Sequence, residues 1–181
     1  MKKQFIIRPI QSQDTEEVLS IYAPYVQNTS ITFDYELPSI DEFIDKIESI
    51  RHDYPWLVCL SDNKIIGYAY GSKHRYKTAY KWSVESTIYV AQGFHRLGVA
   101  RLLYESLFKI LKTQGFFNVY AGVTMPNVSS EEFHKSMGFT EIGTFKNIGY
   151  KLGKWHDVKW FQFHLAEHIE NPKEPVSFDA L

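Results

Sequence analysis

Glu85 sits inside WSVESTIYV, residues 82–90, among apolar and β-branched neighbours. A carboxylate there loses solvation, which disfavours its charged form and suits it to take a proton as a general base near neutral pH. The ordinary alternative is an ion pair at a strand edge. His134, in SSEEFHKSMGF, is the second titratable candidate. A histidine gives or relays a proton near neutral pH, or it is held by local hydrogen bonds alone. A third feature is AQGFHRLGVARLL, residues 91–103, in which Gly93 and Gly98 flank His95 and Arg96.

Glycine admits positive φ and lets a ligand approach the backbone closely. The first turn of a helix offers unpaired N–H groups and the positive end of its dipole. Phosphate oxygens bind there, and the side chains of His95 and Arg96 add donors. The stretch reads as a diphosphate site over Arg96, Leu97, Gly98, Val99, Ala100 and Arg101, or as a turn shaped by two glycines. The Gly-x-x-x-x-Gly spacing of a P-loop is present. Val99 and Ala100 stand where Lys and Ser or Thr belong, so nucleoside-triphosphate hydrolysis is disfavoured. Gly-x-Gly-x-x-Gly is absent, which argues against a dinucleotide site. Cys59, in the apolar run WLVCL, reads as a core residue. His156 beside Asp157 is not a ligand set, and no metal is expected.

These groups need elements to hold them. Phe5 to Arg8 reads as a strand. Asp14 with Glu17, and Ser39 with Glu42, have capping-box spacing and start helices running to about Val26 and about Arg51. WLVCLS and KIIGYAYGS flank Asp62 and Asn63 as a hairpin. KWSVESTIYV is the next strand. Alternation puts Glu85, Thr87 and Tyr89 on one face and Val84, Ser86, Ile88 and Val90 on the other. Gly98 to Gln114 forms a helix stopped by Gly115. FNVYAGV is a strand. Ser129 and Glu132 box a short helix to Met137, and TEIGTF and KWFQFHL finish as strands. The expected order is β-α-α-β-β-β-α-β-α-β-β. That is a mixed α/β fold of α+β type, with about seven strands in one central mixed sheet and about four helices.

The 181 residues suit one domain, residues 1–166, followed by a tail, 167–181, whose ENPKEPVSFDAL reads as a loose end or a partner-facing strap. A formal net charge of −1 makes charge-driven binding to nucleic acid or a membrane surface a poor prospect. One cysteine excludes an internal disulfide and points to a reducing cytoplasm. No run approaches the ~18 apolar residues of a membrane span, and MKKQFIIRPI is too briefly apolar for a signal peptide.

HRLGVA is similar to the acyl-CoA diphosphate loop of the GNAT N-acetyltransferase superfamily, Gln/Arg-x-x-Gly-x-Gly/Ala. It matches at Gly98 and Ala100 and departs at His95. The strand and helix order also resembles that superfamily. YPWLV, AYKWSVESTIYV, MPN, FHKSMGF and GKWHDVKWFQ resemble its phosphinothricin and methionine sulfoximine acetyltransferase branch, along roughly residues 5–165.

The resemblance implies a GNAT fold, acetyl-CoA as co-substrate, and transfer of the acetyl group to the α-amine of a small amino-acid analogue. It implies Glu85 as the base that frees the amine, directly or through a water, and His134 where many relatives carry a Tyr near the coenzyme sulfur. It further implies that the backbones of Ile88 and Val90 pair with the pantetheine arm. Val90 N–H would then lie near the developing oxyanion. Asn127 and Ser130 join the coenzyme contacts. Phe33 matches a substrate-pocket position, and Thr87 shares the face of Glu85. Arg75, after a strand end, suits an acidic substrate group because a guanidinium grips a carboxylate or phosphinate bidentately. The branch forms homodimers, and the aromatic C-terminal strands suit such a face. Other amines, or a coenzyme sensor without turnover, are the rival readings.

Overall fold

The computed structural model describes residues 4–181. Seven strands and four helices follow one another in the expected order. They are β1 (Ile6–Pro9), α1 (Thr15–Asn28), α2 (Ile40–Arg51), β2 (Trp56–Ser61), β3 (Lys64–Lys73), β4 (Ser83–Val90), α3 (Val99–Gln114), β5 (Asn118–Met125), α4 (Val128–Ser136), β6 (Thr140–Lys151) and β7 (Lys154–His164). One mixed sheet runs β1-β2-β3-β4-β5-β7-β6, with β4 and β5 as its parallel pair.

Helices cover both faces. The α3 stripe Leu103, Leu107 and Leu111 is fully buried against Val84, Val90, Val119 and Phe161. On the other face Val18, Tyr22 and Val26 of α1 and Phe43 and Ile47 of α2 close over Trp56, Tyr68 and Tyr70. The alternation of β4 explains the division. Val84 and Ser86 are buried towards α3, whereas Tyr89 packs with Tyr22, Tyr25 and Tyr68 on the other face.

The caps differ from expectation at two helices. Ser39 and Glu42 do form a reciprocal capping box. Asp14 does not cap α1. Its carboxylate forks onto Arg8, at 2.5 and 2.8 Å, and accepts from Gln11 N–H. Glu17 instead accepts from Ile65 N–H, pinning α1 to β3. Helix α4 begins before the expected Ser129 box, because Asn127 accepts from Ser130 N–H and serves as the cap. The last two strands are longer than the sequence suggests and meet in a hairpin at Leu152 and Gly153, both with positive φ. A leucine is an unusual residue for that conformation, so no turn signal stands out there.

The tail lies on its own domain. Gln114 Nε2 donates to the carbonyls of Asp53 and Val176, each at 2.8 Å. Trp82 Nε1 donates to Lys173 O, and His52 bonds Asp179.

Candidate active site

The parallel ladder between β4 and β5 has only three register pairs, Ser83–Asn118, Val84–Val119 and Glu85–Tyr120. The two strands then part, while β4 stays paired with β3 as far as Val90. The side of β4 that faces β5 is therefore open from Ser86 onwards. Ala91 N–H bonds Ile66 O, on the β3 side. Backbone alternation turns the N–H groups of Val90 and Ile88 the other way, into the gap.

The loop after β4 enters the left-handed region three times, with φ of 86° at Gly93, 60° at Arg96 and 86° at Gly98. A methyl on Gly98 would meet nothing within 4 Å, so its backbone conformation, not crowding, is what favours glycine there. Gly98 caps α3 without any side-chain hydrogen bond, and no acidic residue occupies the first turn. The amides of Val99, Ala100 and Arg101 are left for an outside acceptor. The open edge of β4 and this helix end share one groove of about 620 Å³, whose walls include Ile88, Val90, His95, Arg96, Gly98, Val99, Ala100, Arg101, Asn127 and Ser130. Ten residues singled out in the sequence thus meet at one place. Leu97 is exposed nearby and is not part of the wall. Phe133, the first residue of FHKSMGF, also lines the groove, as do Ile31 and Tyr25, which no motif in the sequence marks.

Some side chains are engaged differently from expectation. The His95 ring does not reach towards the loop amides. Its Nε2 is 3.0 Å from Val90 O and 2.9 Å from Tyr25 Oη. A histidine seated there ties the loop back to β4 and leaves the loop's backbone as the anion-binding part. Asn127 Oδ1 is spent on capping α4. Arg101 Nη2 bonds Ser136 Oγ at 3.2 Å and so links α3 to α4 across the groove.

Glu85 is not the isolated apolar-walled carboxylate that the strand pattern suggests. Its side chain is 34% exposed, and its Oε1 accepts from His74 Nδ1 at 2.9 Å. The signal for His74 lay in the alternation of β3. Ser72 pairs with Glu85, so His74, two positions on, returns to the same face. Thr87 is half-buried on that face.

His134 lies on the opposite side of β4 from Glu85. It is 3% exposed and surrounded by Tyr104, Phe133, Phe139 and Phe161. Nδ1 donates to Ser130 O at 2.7 Å, which leaves Nε2 to accept from Tyr104 Oη at 3.2 Å. Tyr104 Oη in turn lies 3.1 Å from Ser86 Oγ. Burial pushes the imidazole pKa below its ordinary value, against the opposing pull of the Ser130 carbonyl. His134 does not line the groove, but Ser130, which it touches, does.

Arg75 is exposed and lines a separate cleft with Lys73, Lys77 and the tail residues Glu174 and Pro175. Phe33 packs against Gly149 of β6 and near His156, outside the groove. His156 is buried and bonded to Lys151 O, and Asp157 pairs with Lys146, so both have structural partners. Cys59 is fully buried, and burial pushes its thiol up to about 11. No group of three or more His, Cys, Asp or Glu able to hold a metal occurs among the described residues. No helix among them is long and apolar enough to cross a membrane.

A split sheet beside an uncapped helix end, with strand N–H groups turned into the gap, can take an extended amide-bearing arm that ends in a diphosphate. That is the form of an acyl-CoA. Residues 7–160 match the acetyltransferase (GNAT) domain family. The chain is 38% identical over 170 residues to a phosphinothricin N-acetyltransferase of Streptomyces viridochromogenes, covering 94% of this chain and 92% of that protein. A methionine sulfoximine and methionine sulfone acetyltransferase of Salmonella typhimurium is 27% identical over 163 residues, covering 90% of this chain and 95% of that one. A GNAT superfamily phosphinothricin acetyltransferase from Sinorhizobium meliloti, solved in complex with acetyl-CoA, superposes with a TM-score of 0.88 at 28% identity, over 98% of this chain and 99% of that chain. The chain belongs to the GNAT acetyltransferase family. It is an acetyl-CoA-dependent N-acetyltransferase.

Proposed function

We propose that the enzyme acetylates the α-amine of a small acidic amino-acid analogue of the phosphinothricin type, by direct transfer from acetyl-CoA. The observation that carries this reading is the place of Glu85, on the last rung before β4 and β5 part. A group there stands between the open strand edge and any amine brought to it.

The coenzyme diphosphate takes the amides of residues 96–101, and the pantetheine arm lies along Ile88 and Val90 as an added strand. An α-amine arrives mainly as ammonium and has no lone pair to attack with. Glu85 takes that proton, directly or through one water, and the freed nitrogen attacks the thioester carbon. Val90 N–H, turned into the gap, faces the oxygen on which charge develops. The carbon–sulfur bond then breaks, and the departing thiolate takes a proton. The chain Ser86, Tyr104, His134, Ser130 is a proton path from β4 to the groove wall, with His134 as a relay that does not touch the substrate. Cys59 is too deeply buried for a covalent acetyl intermediate.

Thr87 and Phe33 complete the amine pocket, and Arg75, on the segment just after His74, turns from the tail cleft to hold the acidic end when substrate binds. The enzyme acts as a homodimer in the cytoplasm. The β6–β7 hairpin supports the dimer: Ile148, Leu152 and Trp155 are 55%, 59% and 61% exposed.

Free thiol released from acetyl-CoA should be followed with phosphinothricin, methionine sulfoximine, methionine sulfone, a polyamine and a peptide N-terminus. Phosphinothricin is expected to give the highest kcat/KM. A polyamine or peptide in first place would overturn the substrate assignment, and coenzyme binding without thiol release for any amine would leave a sensor.

A further inference from the structure

We propose that His74 is the positioning residue that aims the Glu85 carboxylate. This rests on the reading of Glu85 as the base. Glu85 and Tyr120 are register partners and present their side chains to the same face. His74 bridges the two. Its ring lies flat on Tyr120, with centroids 4.4 Å apart and planes 16° from parallel. Its Nδ1 donates to Glu85 Oε1 at 2.9 Å. Tyr80 and Trp160 close its edges at 6.3 and 6.2 Å, with interplanar angles of 89° and 69°. Tyr120 is itself fixed, since its hydroxyl accepts from Gln162 Nε2 at 3.0 Å.

A glutamate on a strand has three rotatable side-chain bonds and is otherwise free to swing away from an incoming ammonium. The imidazole removes that freedom at Oε1 and leaves Oε2 for the proton. Three aromatic contacts hold the imidazole, and its side chain is only 12% exposed. The arrangement spends a buried, oriented N–H on one carboxylate oxygen, as a support for a reacting group does.

The test is a set of variants assayed for kcat, for KM of acetyl-CoA and for melting temperature. His74→Phe keeps the stack on Tyr120 and loses the hydrogen bond. Its kcat should fall roughly 10–100-fold, with KM for acetyl-CoA unchanged, because His74 does not line the coenzyme groove. His74→Gln, whose amide N–H replaces the ring donor, should recover to within about fivefold of the parent. Adding His74→Phe to Glu85→Gln should cost nothing further, because the carboxylate to be aimed is gone. A His74→Phe enzyme at parental kcat, a His74→Gln enzyme as slow as the Phe variant, or losses that multiply in the double variant would each overturn the inference. A Glu85→Gln enzyme at near-parental rate would overturn the base assignment first, and this inference with it.

Discussion

Glu85 and Tyr120 form the last rung of the parallel ladder between β4 and β5, and the sheet opens immediately beyond them. The same rung carries the proposed base on one strand and the aromatic floor of its supporting histidine on the other. The coenzyme groove begins where the backbone pairing stops. The proposed base and the proposed coenzyme groove are thus set side by side by a single departure from sheet geometry.

The turn at Gly98 gives a direct check on the coenzyme end. An L side chain in the left-handed region costs about 1–2 kcal/mol. The site has room for a methyl, so Gly98→Ala strains only the backbone that presents the amides. The dissociation constant for acetyl-CoA, read by calorimetry, should rise roughly 5–30-fold. An unchanged constant would mean that the diphosphate is held elsewhere.

Lys151 is 3% exposed and donates to Val26 O and Thr32 O, each at 2.8 Å, so it fastens the last turn of α1 and the segment after it to β6. Lys151→Met keeps most of the aliphatic stem and abandons two carbonyls. An unpaired buried acceptor costs about 1–3 kcal/mol, equivalent to a melting temperature lower by roughly 2–12 °C for a chain of this size. Phe33 follows Thr32 directly, so KM for the amine should rise while KM for acetyl-CoA holds. Scanning calorimetry and initial rates check the two parts separately.

His134 should make folding stability sensitive to mild acid. Its burial lowers the folded-state pKa, whereas an unfolded histidine protonates near ~6.5. The unfolded chain therefore binds the proton first. The His134 contribution is complete above pH ~6.5 and is lost as pH falls below it, with a slope of up to about 1.4 kcal/mol per pH unit. Denaturant titrations of parent and His134→Gln at about pH 7 and about pH 5 should show a smaller pH dependence in the variant. Equal dependence in both would show that the folded-state pKa of this imidazole is not lowered in solution.

The exposed hairpin apolars predict association. Ile148 and Leu152 still expose just over half of their surface, so covering each gains about half of the ~1.5–3 kcal/mol of full burial. Sedimentation at micromolar concentration should give a dimer, and Trp155→Glu should shift the population towards monomer. A parent that is monomeric at that concentration would remove the dimer from the account.

The order of elements was legible because each long element carries its own pattern. The α3 stripe of Leu103, Leu107 and Leu111 and the strand run at residues 56–61 leave little choice of period. The coenzyme groove was legible for the same local reason, since a strand, a glycine turn and a helix start are contiguous in the chain. The partner of Glu85 was not. His74 reaches it through a strand pairing, and a sequence shows pairings only through the alternation they impose. Both final strands were legible, but the part of the β6–β7 hairpin beyond TEIGTF and KWFQFHL was not, because its apolar residues are exposed and its turn uses a leucine at positive φ. The swap of roles between Asp14 and Glu17 escaped for a related reason. Arg8 and Ile65 compete for those carboxylates from other parts of the chain.

The measurement that bears most directly on Glu85 is single-substrate turnover by Glu85→Gln at saturating acetyl-CoA. The amide keeps the size of the side chain and cannot accept a proton from an ammonium. The account predicts a kcat lower by roughly 10²–10⁴, with acetyl-CoA bound as tightly as by the parent. A kcat within about threefold of the parent, well below what loss of a general base costs, would contradict it.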